Sequence, residues 1–142
     1  MSEDKLTAAQ LRRVQKAIGT VPFAQLLGIE LEHVGKGTAI LGLKVCKELT
    51  QNHGVVHGGA IASLVDTATA FAIISVLPIR EKVTTVDLTI SYLRPVTEGR
   101  LKAVAKVLRA GRRLFAVSAD VFDGRGKLTA TALSTYIKLQ AS

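Results

Sequence analysis

Asp66 is the only ionisable side chain in the apolar run from Gly59 to Leu77. A carboxylate inside such a segment loses solvation unless something compensates it. The loop ahead of the run reads Gln51-Asn52-His53-Gly54-Val55-Val56-His57-Gly58-Gly59. Two consecutive glycines at a helix start let backbone come close to a ligand, and the N–H groups of the first turn point out along the positive end of the helix dipole. A preorganised donor set and a carboxylate on one element supply both parts of acyl-transfer chemistry, an oxyanion stabiliser and a nucleophile or general base. Each feature also has a plain structural reading. Gly58 and Gly59 could simply permit a tight turn, and Asp66 could bond to nearby backbone or to Thr67, or face water through a gap in the sheet.

Spacing constrains how the two parts could cooperate. Gly58 and Asp66 are eight residues apart, which along a helix is ~12 Å, too far to grip one carbonyl carbon and its oxygen together. If they act jointly, they do so across a twofold interface, with Gly58 of one chain facing Asp66 of another and a second equivalent site alongside.

The elements that must position these residues follow from periodicity. Ala8 to Ile18 places Leu11, Val14 and Ile18 at helical spacing beside Arg12, Arg13 and Lys16, a short amphipathic helix expected to pack on the outside. Pro22 opens a second short turn through Phe23 and Leu27, ended by Gly28. Ile29 to Val34 and Thr38 to Val45 read as strands around a Gly35–Gly37 turn. The segment from Gly59 to Leu77, stopped by Pro78, reads as one helix that is apolar all round and must be wrapped by something. Four alternating segments follow, Lys82 to Arg94, Arg100 to Arg109, Arg112 to Phe122 and Lys127 to Leu139, with connections short enough for antiparallel hairpins or a meander. The class is α+β: a curved antiparallel sheet around one long central helix, preceded by short N-terminal helices.

Composition narrows the function classes. The chain has 142 residues, 48% of them hydrophobic, enough for a single core. The run around Asp66 is too interrupted by polar residues to span a bilayer, which excludes a membrane helix. Met1 to Lys5 carries Glu3 and Asp4 and does not resemble a secretory signal. A lone cysteine, Cys46, fits a reducing compartment, so the expected location is cytoplasmic. A net charge of +8 invites a nucleic-acid reading, but no helix-turn-helix pattern, zinc spacing or interleaved aromatic residues support it. The basic excess gathers in the second half and would suit a small phosphorylated ligand or a solvated strand face equally well. His33, His53 and His57 lack the clustered partners of a metal site, and none is expected.

The string Gln51 to Asp66, with His57-Gly58-Gly59 nine to seven residues before the carboxylate, joins Leu27-Gly28-Ile29 upstream and Ser91-Tyr92-Leu93-Arg94-Pro95 downstream. Together they resemble a hotdog-fold acyl-CoA thioesterase of the PaaI type, the phenylacetic acid degradation and 4-hydroxybenzoyl-CoA thioesterase-like family. The resemblance implies a hotdog domain over residues 21–142 behind a helical extension over 1–20. It further implies homodimers paired into tetramers, and hydrolysis of a thioester to free acid and coenzyme A. No separate cofactor is implied, since coenzyme A is part of the substrate. By the same resemblance Asp66 is the catalytic carboxylate, the Gly58 N–H polarises the thioester carbonyl, and Gln51 orients water or substrate. His57 supports the site, Gly59 lies against the ligand, and Asn52 takes the place of Gln51 if the loop is threaded one residue differently. Thr85 supplies a hydroxyl for the water, with Thr84 one register away. Relatives with glutamate at the Asp66 position carry a hydroxyl one turn later, where this chain has Ala70, so the aspartate branch is the closer match. Arg94, Arg112 and Arg113 are the candidates for the phosphates of coenzyme A. A non-catalytic acyl-CoA sensor using the same pocket is the rival reading, though the segment before Val21 is too short for an ordinary DNA-binding unit. A hotdog dehydratase ranks last for want of its His and carboxylate arrangement.

Overall fold

The computed structural model describes residues 5–140. The reading of the chain start as other than a secretory signal falls largely outside that range. Two short helices, α1 (Ala8–Ile18) and α2 (Pro22–Leu27), lead into strands β1 (Ile29–Gly35) and β2 (Thr38–Lys44). A 3-10 turn at Lys47–Leu49 then precedes the long helix α3 (Gly58–Ile74). Strands β3 (Val83–Tyr92), β4 (Arg100–Ala110), β5 (Leu114–Phe122) and β6 (Leu128–Lys138) complete one antiparallel sheet in the order β1-β2-β4-β5-β6-β3.

The sheet curls around α3, as an all-round apolar helix requires. Leu64, Val65, Ala68, Ala72 and Ile73 of α3 are buried against Leu41 and Leu43 of β2, Leu101, Ala103 and Ala105 of β4, and Val117 and Val121 of β5. Small residues on the inner face of β4 let the helix approach closely, while the alternate positions Lys102 and Lys106 face outward. The helix ends at Ile74, earlier than the Leu77 expected from composition, because Val76 and Leu77 tighten onto Ile73 and Ile74 carbonyls before Pro78. The α1 helix does more than lie outside. Its Val14 is fully buried, and the Arg13 guanidinium donates to the Ile74 and Leu77 carbonyls at 2.9 and 3.0 Å, placing a cation at the negative end of α3.

One connection departs from the sequence reading. Strands β4, β5 and β6 form the expected meander, but Pro95 to Gly99 does not close a hairpin between β3 and β4. Strand β3 pairs with β6 instead and forms an edge of the sheet. The chain leaves β3 still tied to β6, with the Leu93 and Arg94 N–H groups on the Thr129 carbonyl. Buried Val96 then anchors the crossing, its carbonyl accepting from Val56 N–H, and Gly99 meets Val45 at the start of β4. Hairpin-length spacing carried no information about this crossing. On the outer face, Gly42 leaves room for the Arg100 side chain to reach Glu30 and Glu32 across β2, where any Cβ would collide with both the Glu32 carboxylate and the guanidinium.

Candidate active site

The loop before α3 is a small pinned hairpin. Thr50 and Val56 form a bridge, Gln51 N–H donates to Val55 O, and His57 N–H donates to Leu49 O, each of the latter two at 2.8 Å. Leu49 and Val56 are its buried anchors. His57 caps the helix: its Nδ1 accepts from Gly59 N–H at 2.8 Å, and its carbonyl receives Ala60 N–H at 2.9 Å and Ile61 N–H at 3.4 Å. The first-turn donor set therefore narrows to one. Among the described residues, the Gly58 N–H alone at this helix start has no acceptor, while Gly59 is committed to His57.

Gly58 is fixed from its other side by Tyr92, whose hydroxyl donates to Gly58 O at 2.8 Å. A Cβ at Gly58 would stand 3.1 Å from the Tyr92 ring, so glycine permits this close approach. Gln51, Gly58, Tyr92 and Arg94 line one cleft of about 330 Å³ together with Pro95 and Val96. Asn52 is exposed at the hairpin tip and is not part of that lining. His57 and Gly59 face a different cleft beside Phe23 and Ser63.

Asp66 lies two turns further along α3 and lines a third cleft, of about 270 Å³, with Phe23, Ser63, Thr67, Thr85 and Leu88. Its carboxylate is compensated by hydroxyls, Thr85 Oγ1 donating to Oδ1 at 2.9 Å and Tyr136 OH lying 3.1 Å from the same oxygen. Thr85, and not Thr84, faces the helix; Thr84 is exposed. Burial, first, and the neighbouring Asp66 charge push the Tyr136 phenol up to about 12, so it stays a protonated donor at neutral pH.

The sequence reading missed Tyr92 and Tyr136. Strand alternation offered a signal for Tyr136, which shares the inward face of β6 with Ala130, Ala132 and Ser134, where a buried phenol needs a partner. Arg94 stands beside the Gly58 cleft, and a neighbouring groove adds Arg125 and Lys127. Arg112 and Arg113 sit in the β4–β5 turn, at the opposite end of the sheet beside Lys138. Counted along β4, the two basic groups are roughly 25 Å apart. No group of three or more His, Cys, Asp or Glu that could hold a metal ion occurs among the described residues, and no helix there is long and apolar enough to cross a membrane.

A long helix wrapped by one curved antiparallel sheet is the hotdog architecture. Residues 53–130 match the Thioesterase superfamily, and the chain belongs to that family. It is 30% identical to the medium/long-chain acyl-CoA thioesterase YigI of Escherichia coli K12, over 93% of this chain and 96% of that protein. Among solved structures it is similar to the conserved protein PA5202 of Pseudomonas aeruginosa, with 33% identity, a TM-score of 0.82, and coverage of 90% and 98% of the two chains. It shares its fold with the E. coli PaaI protein of the phenylacetic acid degradation operon, at TM-score 0.88, 23% identity, and 97% and 99% coverage. The chain is thus a thioester hydrolase of hotdog architecture.

Proposed function

We propose that the chain hydrolyses acyl-CoA thioesters at sites shared between two protomers, Asp66 coming from one and the Gly58 N–H from its partner. The carrying observation is that a free N–H donor and an anchored carboxylate sit on one helix, in clefts that share no lining residue. A spacing of ~12 Å along the helix leaves them unable to meet on one thioester within a protomer. Strand β3 supports a twofold mate, since it has a neighbour on one side only and exposes Val86 and Tyr92, with Leu93 exposed just beyond its end. A dimer of such dimers is the assembly we expect, in the cytoplasm.

In this reading the Asp66 carboxylate adds to the thioester carbonyl carbon, or takes a proton from the water that does so. In either route the carbonyl π electrons move onto oxygen, where the Gly58 N–H stabilises the negative charge. Collapse restores the carbonyl, breaks the C–S bond and releases the thiolate of coenzyme A. The direct route leaves an anhydride on Asp66 that water must then cleave. Label in Asp66 after a single turnover in oxygen-18 water establishes the anhydride route with water attacking the Asp66 carboxyl carbon; attack at the acyl carbon, like direct hydrolysis by water, leaves the label in the product acid. Gln51 and Arg94 share the Gly58 cleft, where Gln51 orients substrate or water. Arg94, Arg125 and Lys127 form the groove for the coenzyme A phosphates. Within one protomer Arg112 and Arg113 lie at the other end of the sheet from this groove. YigI carries an acyl-CoA thioesterase name over nearly the same length, which supports coenzyme A as the leaving group.

Asp66→Asn tests the reading. Asparagine can still accept from Thr85 and Tyr136 through its amide oxygen, so the fold and coenzyme A binding should survive. Thiol release from a panel of aryl, medium-chain and long-chain acyl-CoAs should fall by about 10²–10⁴-fold. Turnover at the wild-type rate would remove Asp66 from the chemistry, and a wild-type chain that binds the panel without releasing thiol would favour the sensor.

A further inference from the structure

We propose that Tyr136 is a positioning residue for Asp66, holding one carboxylate oxygen so that the other is presented to the substrate; the inference rests on Asp66 being the reacting carboxylate. Thr85 and Tyr136 are a directly opposed cross-strand pair on β3 and β6, so both side chains project from the same face of the sheet towards α3. The β3 irregularity between Thr85 and Asp87 falls at this pair and turns Val86 outward, the usual effect of a bulge that re-aims a neighbouring side chain.

Both hydroxyls approach the same atom. Thr85 Oγ1 is 2.9 Å and Tyr136 OH 3.1 Å from Asp66 Oδ1, whereas no described residue bonds Oδ2. Tyr136 OH also lies 2.8 Å from the Asp66 backbone carbonyl, so one phenol spans the side chain and main chain of the same residue. Behind it, the fully buried Thr69 hydroxyl sits 2.8 Å from Tyr136 OH. A phenol has one proton. Thr69 Oγ1 also lies 3.0 Å from Val65 O and 3.1 Å from Asp66 O; when it donates to the phenolic oxygen instead, the Tyr136 proton goes to Asp66, shared between the backbone carbonyl and Oδ1. Tyr136 is the one other titratable group hydrogen-bonded to the carboxylate among the described residues; Phe23, Ala62, Ser63, Thr67, Thr85 and Leu88 line the cleft around it. Oδ2 keeps its lone pairs for the acyl carbon or a water, and the two hydroxyls on Oδ1 resist rotation of the carboxylate.

Tyr136→Phe tests this. It should lower kcat about 10-fold to 100-fold with KM within about twofold, since the loss is one of orientation and not of binding. Thr69→Val should lower kcat in the same way by a smaller amount, again with KM nearly unchanged, and Thr69→Ser, which restores the hydroxyl, should recover most of that loss. If Tyr136→Phe does not yield folded protein, the Thr69 pair decides by the same criteria. Unchanged kcat in a folded variant, with only a lowered melting temperature, would reduce Tyr136 to a core residue and overturn the inference. Wild-type turnover by Asp66→Asn would instead overturn the reading beneath it.

Discussion

Gly58→Pro isolates the one backbone donor on which the proposed oxyanion stabilisation depends. Gly58 is the first residue of α3, where proline is best tolerated because the missing N–H is outside the helical ladder and the fixed φ suits the turn. The residue before a proline is confined to extended backbone, and His57 already has φ −65 and ψ 135. The steric demand falls on Tyr92: a Cβ at position 58 meets its ring at 3.1 Å, a contact that a half-exposed side chain relieves by a small shift. Gly58→Ala makes the same contact and keeps the N–H, so the two variants differ chiefly in a single donor. Removing one oxyanion-hole donor lowers kcat by about 10²–10³, or roughly 2.7–4 kcal/mol of transition-state stabilisation. Thiol release should show that gap between the proline and alanine variants, with similar thermal melting for both. Equal kcat in two folded variants would refute the assignment of the Gly58 N–H to the oxyanion.

Mixed assemblies test the shared site. Equal amounts of Asp66→Asn and Gly58→Pro protomers, exchanged at random, give half mixed dimers with one intact site each, so about a quarter of wild-type activity should return; no recovery after verified exchange argues against sharing. Replacing Arg94 and Lys127 together by alanine should raise KM for acyl-CoA about tenfold, as expected for lost charge-assisted bonds, and leave KM for an acyl-pantetheine without the nucleotide unchanged. An equal rise for both substrates would move the phosphates elsewhere. Tyr136 predicts alkaline sensitivity. Its phenol is raised to about 12 when folded, chiefly by burial, against 10.0 for the free group. The folded state therefore holds the proton more tightly, and a stabilising contribution on the order of 2–3 kcal/mol, complete below the unfolded value, is lost as pH rises between the two. Urea unfolding across that interval should decline more steeply for the wild type than for Tyr136→Phe; parallel declines would contradict it.

The strands and the long helix were legible because their periodicities are strong and glycine, proline and Asp-Gly turns punctuate them. Asp66 stood out as a charge in an apolar run, and Gly58 by its place at a helix start. Sheet order was not legible: the pairing of β3 with β6 depends on Val96 seating beneath the loop and on Thr129 receiving two N–H groups from the end of β3, contacts that cross the molecule. The same holds for the hydroxyls around Asp66. Thr85 and Tyr136 are far apart in sequence and meet only through that pairing. Nor could composition separate Gly58 from Gly59, because what distinguishes their N–H groups is the rotamer of His57, a single imidazole nitrogen turned back onto one of them.

The clasp that Arg13 places on the end of α3 ties the first helix to the element that carries the chemistry. A division of the chain at residue 20 would cut through this joint, stripping a cation from two carbonyls and baring the surface that Val14 covers. The α1 helix is then a buttress of α3, anchoring the far end of the rod whose near end carries the free Gly58 N–H.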